Sequence, residues 1–149
     1  MKQFNTKCLY YHSTNNINLD IRKCDEIYFT DDYEYAKVCN QNVYSSYTRD
    51  EQDKNGIITA KLSCKNVFDT RHNDKHKTIF KEFKKKYKHH FFTLTDDGYV
   101  CWMIIDYLID YFKEKELNFD CILTQDANDK LLYVVFNKNN IEIINKEIL

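Results

Sequence analysis

The alternation of apolar and polar positions divides the chain into short elements. Cys8 to His12 is aromatic and apolar and reads as a strand. Ser13 to Asp25 is polar and rich in asparagine, so a loop is expected there. Glu26 to Thr30 predicts a second strand, after which Asp31 or Asp32 can cap a helix through Tyr35, Ala36 and Val38. Asn40 to Asn55 is polar. Gly56 then opens a strand, Ile57 to Cys64, in which Ile58, Ala60 and Leu62 share a face.

Lys75 to His90 predicts a basic amphipathic helix with Ile79, Phe80, Phe83 and Tyr87 at helical spacing. Gly98 precedes a long helix, Tyr99 to Lys115, whose buried stripe is Trp102, Ile105, Leu108, Ile109 and Phe112. Three strands close the pattern: Asp120 to Thr124, Leu131 to Phe136 and Ile141 to Ile144. A turn from Asp126 to Lys130 has Asn128-Asp129 at its tip. Strands cluster at both ends instead of alternating with helices, which favours an α+β fold over a doubly wound sheet. No repeat or linker interrupts residues 1–149, so one domain is expected.

Composition narrows the function. With 22 basic and 23 acidic residues the formal net charge is -1, which argues against nucleic acid as a direct partner and against an anionic membrane. No apolar run approaches the roughly 20 residues that span a bilayer. The N-terminal stretch MKQFNTKCLYYHSTNN does not read as a signal peptide, so a cytoplasmic location is expected. The six cysteines, at positions 8, 24, 39, 64, 101 and 121, are widely spaced without C-x-x-C, and read as reduced thiols. There is no proline, and the two glycines rule out a glycine-rich phosphate cradle.

Few residues could carry chemistry. His72 and His76 lie four apart, but no Cys or carboxylate completes a metal site, so both read as solvated. The lysines at 84, 85 and 86 read as a solvated helix face, or as a contact for an acidic target. The distinctive feature is the first quarter. His12 ends an apolar strand and is followed by Ser13-Thr14; a second aromatic strand then ends Tyr28-Phe29-Thr30 before the helix of Ala36.

These segments resemble the ADP-ribosyltransferase superfamily on its poly(ADP-ribose) polymerase and diphtheria-toxin side. LYYHST (Leu9 to Thr14) is similar to that family's opening His-Gly-Ser/Thr strand, with Ser13 in place of glycine. IYFT (Ile27 to Thr30) with DDYEYAKV (Asp31 to Val38) is similar to its second strand and helix. LYVVFNKNNIEII (Leu132 to Ile144) is similar to its closing pair of strands. The family's glutamate falls on Leu132; the nearest upstream acid is Asp126, in Gln125-Asp126. The small anti-CRISPR ADP-ribosyltransferases of phages show a similar Gln-Asp and also lack the glutamate.

The resemblance implies a split β-sheet core with flanking helices. It also implies an NAD-dependent mono-ADP-ribosyltransferase modifying a protein side chain, with no metal. The target would be a host protein, a CRISPR effector subunit being the most specific, in the host cytoplasm if the chain is phage-encoded. His12 would hold a ribose hydroxyl, Tyr28 would stack on nicotinamide, and the Ser13 backbone would bind the carboxamide. Thr14, Phe29 and Thr30 would complete the pocket, and the Asp126 carboxylate would stabilise the oxocarbenium-like cation. The alternatives are an inactive relative that binds a protein, favoured by Leu132, and an RNA 2'-phosphotransferase-like enzyme. The latter normally needs more arginines than Arg22, Arg49 and Arg71.

Overall fold

Ser13 and Thr14, expected in a loop, instead finish the first strand, β1 (Tyr10–Thr14). The cause is tertiary: the Ser13 hydroxyl donates to the Ala36 carbonyl, and the Thr14 carbonyl accepts from the Asn40 side chain. A computed structural model describes residues 8–44, 54–71, 74–87, 102–125 and 129–149. Within them the elements that follow are β2 (Ile27–Phe29), α1 (Tyr33–Tyr44), β3 (Gly56–Leu62), β4 (Val67–Asp69) and α2 (Asp74–Lys86). Then come α3 (Trp102–Glu114), β5 (Cys121–Gln125), β6 (Leu131–Val135) and β7 (Ile141–Ile148). The fold is α+β, as the order of apolar patterns predicts.

The contacts divide the chain into two units, one of Met1–Lys65 with Tyr133–Leu149 and one of Asn66–Leu132. In the first, β3 lies between β1 and β7, antiparallel to both. Ile58, Ala60 and Leu62 of β3 are buried on the face its alternation suggested, and Ile57 is buried on the other, where Thr59 is part-buried and Lys61 exposed. β2 pairs antiparallel with the Tyr133–Val135 end of β6. A single bridge, Tyr11 with Thr30, joins β1 to the chain just beyond β2.

Asp32 caps α1 by accepting from the Tyr35 N–H at 3.0 Å. The helix runs through Asn40 into what reads as polar loop. It can do so because Asn40 is buried at 1% exposure yet bonded to two backbone carbonyls, Thr14 at 3.0 Å and Gly56 at 3.1 Å. Gly56 is required by close approach: a Cβ there would stand 2.4 Å from the Glu147 carbonyl oxygen and 2.5 Å from Ile17 Cδ1.

In the second unit β4 runs parallel to β5, with α2 and α3 in the crossover that a parallel pair demands. Phe68, Phe83, Ile105, Leu108 and Phe112 fill its core. His76 joins them, against the expectation of a solvated residue. It is buried, stacks on Phe68 at 4.9 Å, and its Nδ1 accepts the Asp69 backbone N–H at 3.1 Å. That bond requires a neutral imidazole protonated on Nε2. His72 lies outside the described residues. Among those described, no three His, Cys, Asp or Glu side chains converge as metal ligands, and no helix is long and apolar enough to cross a membrane.

Candidate functional site

β1 alternates, and the alternation sorts its functional residues. Tyr11 meets Tyr33 edge to face at 5.3 Å, and the Ser13 hydroxyl bonds to Ala36, so α1 covers the face these two share. His12 points to the other face. It is part-buried, and its Nδ1 lies 2.8 Å from the Tyr28 carbonyl oxygen. Since a carbonyl can only accept, Nδ1 carries the proton and Nε2 presents a lone pair in the neutral ring. Burial pushes the imidazole below histidine's usual 6.5, opposed by the Tyr28 carbonyl, which favours the charged form. Burial is the larger cause, so the neutral tautomer is the resting form at neutral pH.

The backbone of Ser13 has a definite orientation. Tyr11 donates to the Thr30 carbonyl at 2.8 Å and accepts from the Thr30 N–H at 2.9 Å. An antiparallel strand turns alternate residues the same way, so Ser13 directs its N–H and C=O to the same edge as Tyr11, away from β3. Thr14 is buried, and its hydroxyl is held in a local turn with Asn16, donating to the Asn16 carbonyl at 3.1 Å.

On β2, Ile27 and Phe29 are buried and Tyr28 between them is half-buried, so the Tyr28 ring takes the face opposite to theirs. Its main chain is fixed by pairing with Val134. The Phe29 ring lies 5.8 Å from the His12 ring. Thr30 is buried, and its hydroxyl accepts the Asp32 N–H at 3.2 Å, starting the cap of α1. His12, Ser13, Tyr28, Phe29 and Thr30 are thus brought together by the Tyr11–Thr30 bridge and the His12–Tyr28 bond, with Tyr28 tied to His12 through its main chain.

Asp126 lies outside the described residues. Leu132 is part-buried at the start of β6, followed by buried Tyr133, Val134 and Val135. Asp129 takes a left-handed φ of 59°, as a turn tip requires, and accepts from Gln125 Nε2 at 3.2 Å.

Sequence reasoning missed two polar groups near this site. Tyr33 donates to Glu147 at 2.7 Å, and that bond is the main cause holding its phenol above the usual 10.0. Nothing in sequence links positions so far apart. Asn40, which clamps the end of β1, was hidden by its polarity, although its distance from Ala36 on one helix face is a usable signal.

No protein-family model matches the chain, and no curated protein matches it in sequence. Its fold is similar to that of a chain in the crystal structure of the M. tuberculosis MbcT–MbcA toxin–antitoxin complex. The TM-score is 0.57 at 14% identity, over 95% of this chain and 83% of that one.

Proposed function

We propose that this protein is an NAD-dependent mono-ADP-ribosyltransferase that modifies a side chain of a host protein. The observation that carries the reading is the His12–Tyr28 bond, 2.8 Å long, which joins the two segments that resemble the family's NAD-binding strands. The likeness in fold to a chain of a toxin–antitoxin complex supports a second element of the reading: the activity is harmful to the cell in which it acts.

The donor set suits NAD. A neutral His12 with its proton on Nδ1 accepts a ribose hydroxyl at Nε2, and the bond to Tyr28 fixes the ring that does so. The Ser13 peptide, directed away from β3, offers one donor and one acceptor to a carboxamide. The Ser13 hydroxyl is already committed to Ala36, so its side chain takes no part. The half-buried Tyr28 supplies an aromatic face for nicotinamide. Breaking the nicotinamide–ribose bond leaves an oxocarbenium-like cation, and the acid for that charge is Asp126, because Leu132 carries none.

Titration with NAD under thermal denaturation tests the binding half. At a hundred times the dissociation constant, the ligand adds about 2.7 kcal/mol to the stability of the fold. A flat response at millimolar NAD sinks the proposal. The second reading, a protein-binding relative without catalysis, is favoured by apolar Leu132 at the glutamate position. It wins if the protein binds NAD yet neither labels nor hydrolyses anything.

A further inference from the structure

Four lysines of α2 form one solvent-facing stripe. At 3.6 residues per turn, Lys77, Lys81, Lys84 and Lys85 fall within about 100° of arc. Phe80 and Phe83 occupy the buried side. Lys77, Lys81 and Lys85 are exposed, spaced one turn apart, and no ion pair engages them among the described residues. Lys84 lies with its ammonium 4.8 Å from the Phe80 ring centroid. Lys86, by contrast, belongs to the flank and is ion-paired with Glu114 of α3. Between Lys77 and Lys85 the one acid of the helix is Glu82, which lies beyond the edge of the stripe, on the side of Lys86.

This arrangement works against the helix that carries it. Like charges one turn apart repel, and the stripe has three such pairs, Lys77 with Lys81, Lys81 with Lys84 and Lys81 with Lys85. Lys77 also stands in the first turn, where the helix dipole disfavours a cation. Only Lys84 and Lys85, in the last turn, gain from it. A balanced chain, net -1, has acids available to intersperse, and from Lys77 to Lys85 none stands within the stripe.

From this we propose that the stripe of Lys77, Lys81 and Lys85 is a docking surface for a partner protein that presents a row of carboxylates. Acids at one-turn spacing on a partner helix repeat about every 6 Å, the same interval as the lysines. The chemistry favours a protein over nucleic acid. The stripe has lysine and no arginine, the residue that grips phosphate in a bidentate fork. It carries no aromatic ring on which a base could stack. The net charge of -1 gives a polyanion no long-range attraction to the rest of the chain. The inference is independent of the catalytic reading and names a surface that NAD does not need.

The test is fluorescence anisotropy of a labelled oligo-glutamate peptide at low salt, against an oligouridylate of equal charge. The protein is compared with a Lys77→Glu, Lys81→Glu, Lys85→Glu variant and with a control that makes the same net change at exposed Lys23, Lys113 and Lys115. The expected result is peptide binding that weakens by about tenfold or more in the stripe variant and far less in the control. It should also weaken as salt rises, with oligouridylate bound less tightly than the peptide. Equal losses in both variants would reduce the effect to bulk charge and overturn the proposal. So would tighter binding of oligouridylate, which makes the stripe a nucleic-acid surface, or no peptide binding at low salt. NAD-induced stabilisation measured on the same samples reports on the enzyme reading alone.

Discussion

Asn40 of α1 reaches across to Thr14 of β1, donating from Nδ2 to its carbonyl oxygen at 3.0 Å and to that of Gly56 at 3.1 Å. One buried amide therefore holds the strand that carries His12 against the opening of β3. Replacing Asn40 with Leu leaves both carbonyls without this donor. The expected cost is about 1–3 kcal/mol of stability, read as a lower midpoint in urea. An unchanged midpoint would mean that the two carbonyls find other donors.

The depressed pKa of His12 makes stability depend on pH. The unfolded chain takes up a proton near the usual 6.5, whereas burial keeps the folded imidazole neutral to lower pH. Between those two values the unfolded state binds more protons, so stability falls as pH drops below 6.5. It is fully present above that point. His12→Asn removes the titration and keeps a donor for the Tyr28 carbonyl. The difference in stability between wild type and this variant should shrink on acidification, and NAD affinity should fall in the variant at every pH. A constant difference from pH 7 down to 5 would show that burial of His12 does not bias its protonation.

Gly56→Ala places a methyl group against a backbone oxygen, which cannot swing aside as a flexible side chain can. We expect a loss of about 1–3 kcal/mol, the usual range for overpacking. Because the clash is with Glu147 of β7 and with Ile17, amide exchange in β3 and β7 should accelerate more than in α3.

Catalysis should rest on Asp126. Asp126→Asn keeps the shape and removes the charge, and loss of one such contact typically slows a reaction by roughly a hundred- to a thousandfold. NAD affinity should change little. Asp129→Asn should stay active, because Asp129 stands at a left-handed turn tip with its carboxylate bonded to Gln125. Full labelling by Asp126→Asn would transfer the role to another acid.

In the second unit, His76→Leu removes the acceptor of the Asp69 N–H and the ring stacked on Phe68. A buried donor left without its partner costs about 1–3 kcal/mol, measurable by thermal or chemical denaturation.

The contrast between His12 and His76 shows what sequence can carry. His12 was legible because it closes the apolar, aromatic run from Cys8 in the sequence and its neighbours form a recognisable pattern. His76 was read as solvated because its neighbours on α2 are lysines; a core of Phe68, Phe112 and Phe119 drawn from other elements decides its burial. β4 escaped notice because Val67–Asp69 is three residues, all buried, and too short to show alternation. β1 and α1 both ran past their expected ends for one reason: Ser13, Thr14 and Asn40 satisfy their polarity against each other's elements. The capped start of α1 was legible since Asp32 acts locally. The pairing of Tyr33 with Glu147 was not, because it depends on the return of β7 to the first unit.

That return sets an order on synthesis. β3 has β1 on one side from the outset, but its other neighbour, β7, follows the whole of Asn66–Leu132. At about 5–20 residues per second, a ribosome leaves that side of β3 bare for several seconds. Ile57, Ile58 and Leu62 make this waiting strand apolar, the kind of edge on which nascent chains stick to one another. Folding of the first unit is therefore bound to finish after translation of the second, and a chain stopped anywhere within the second would keep β3 open.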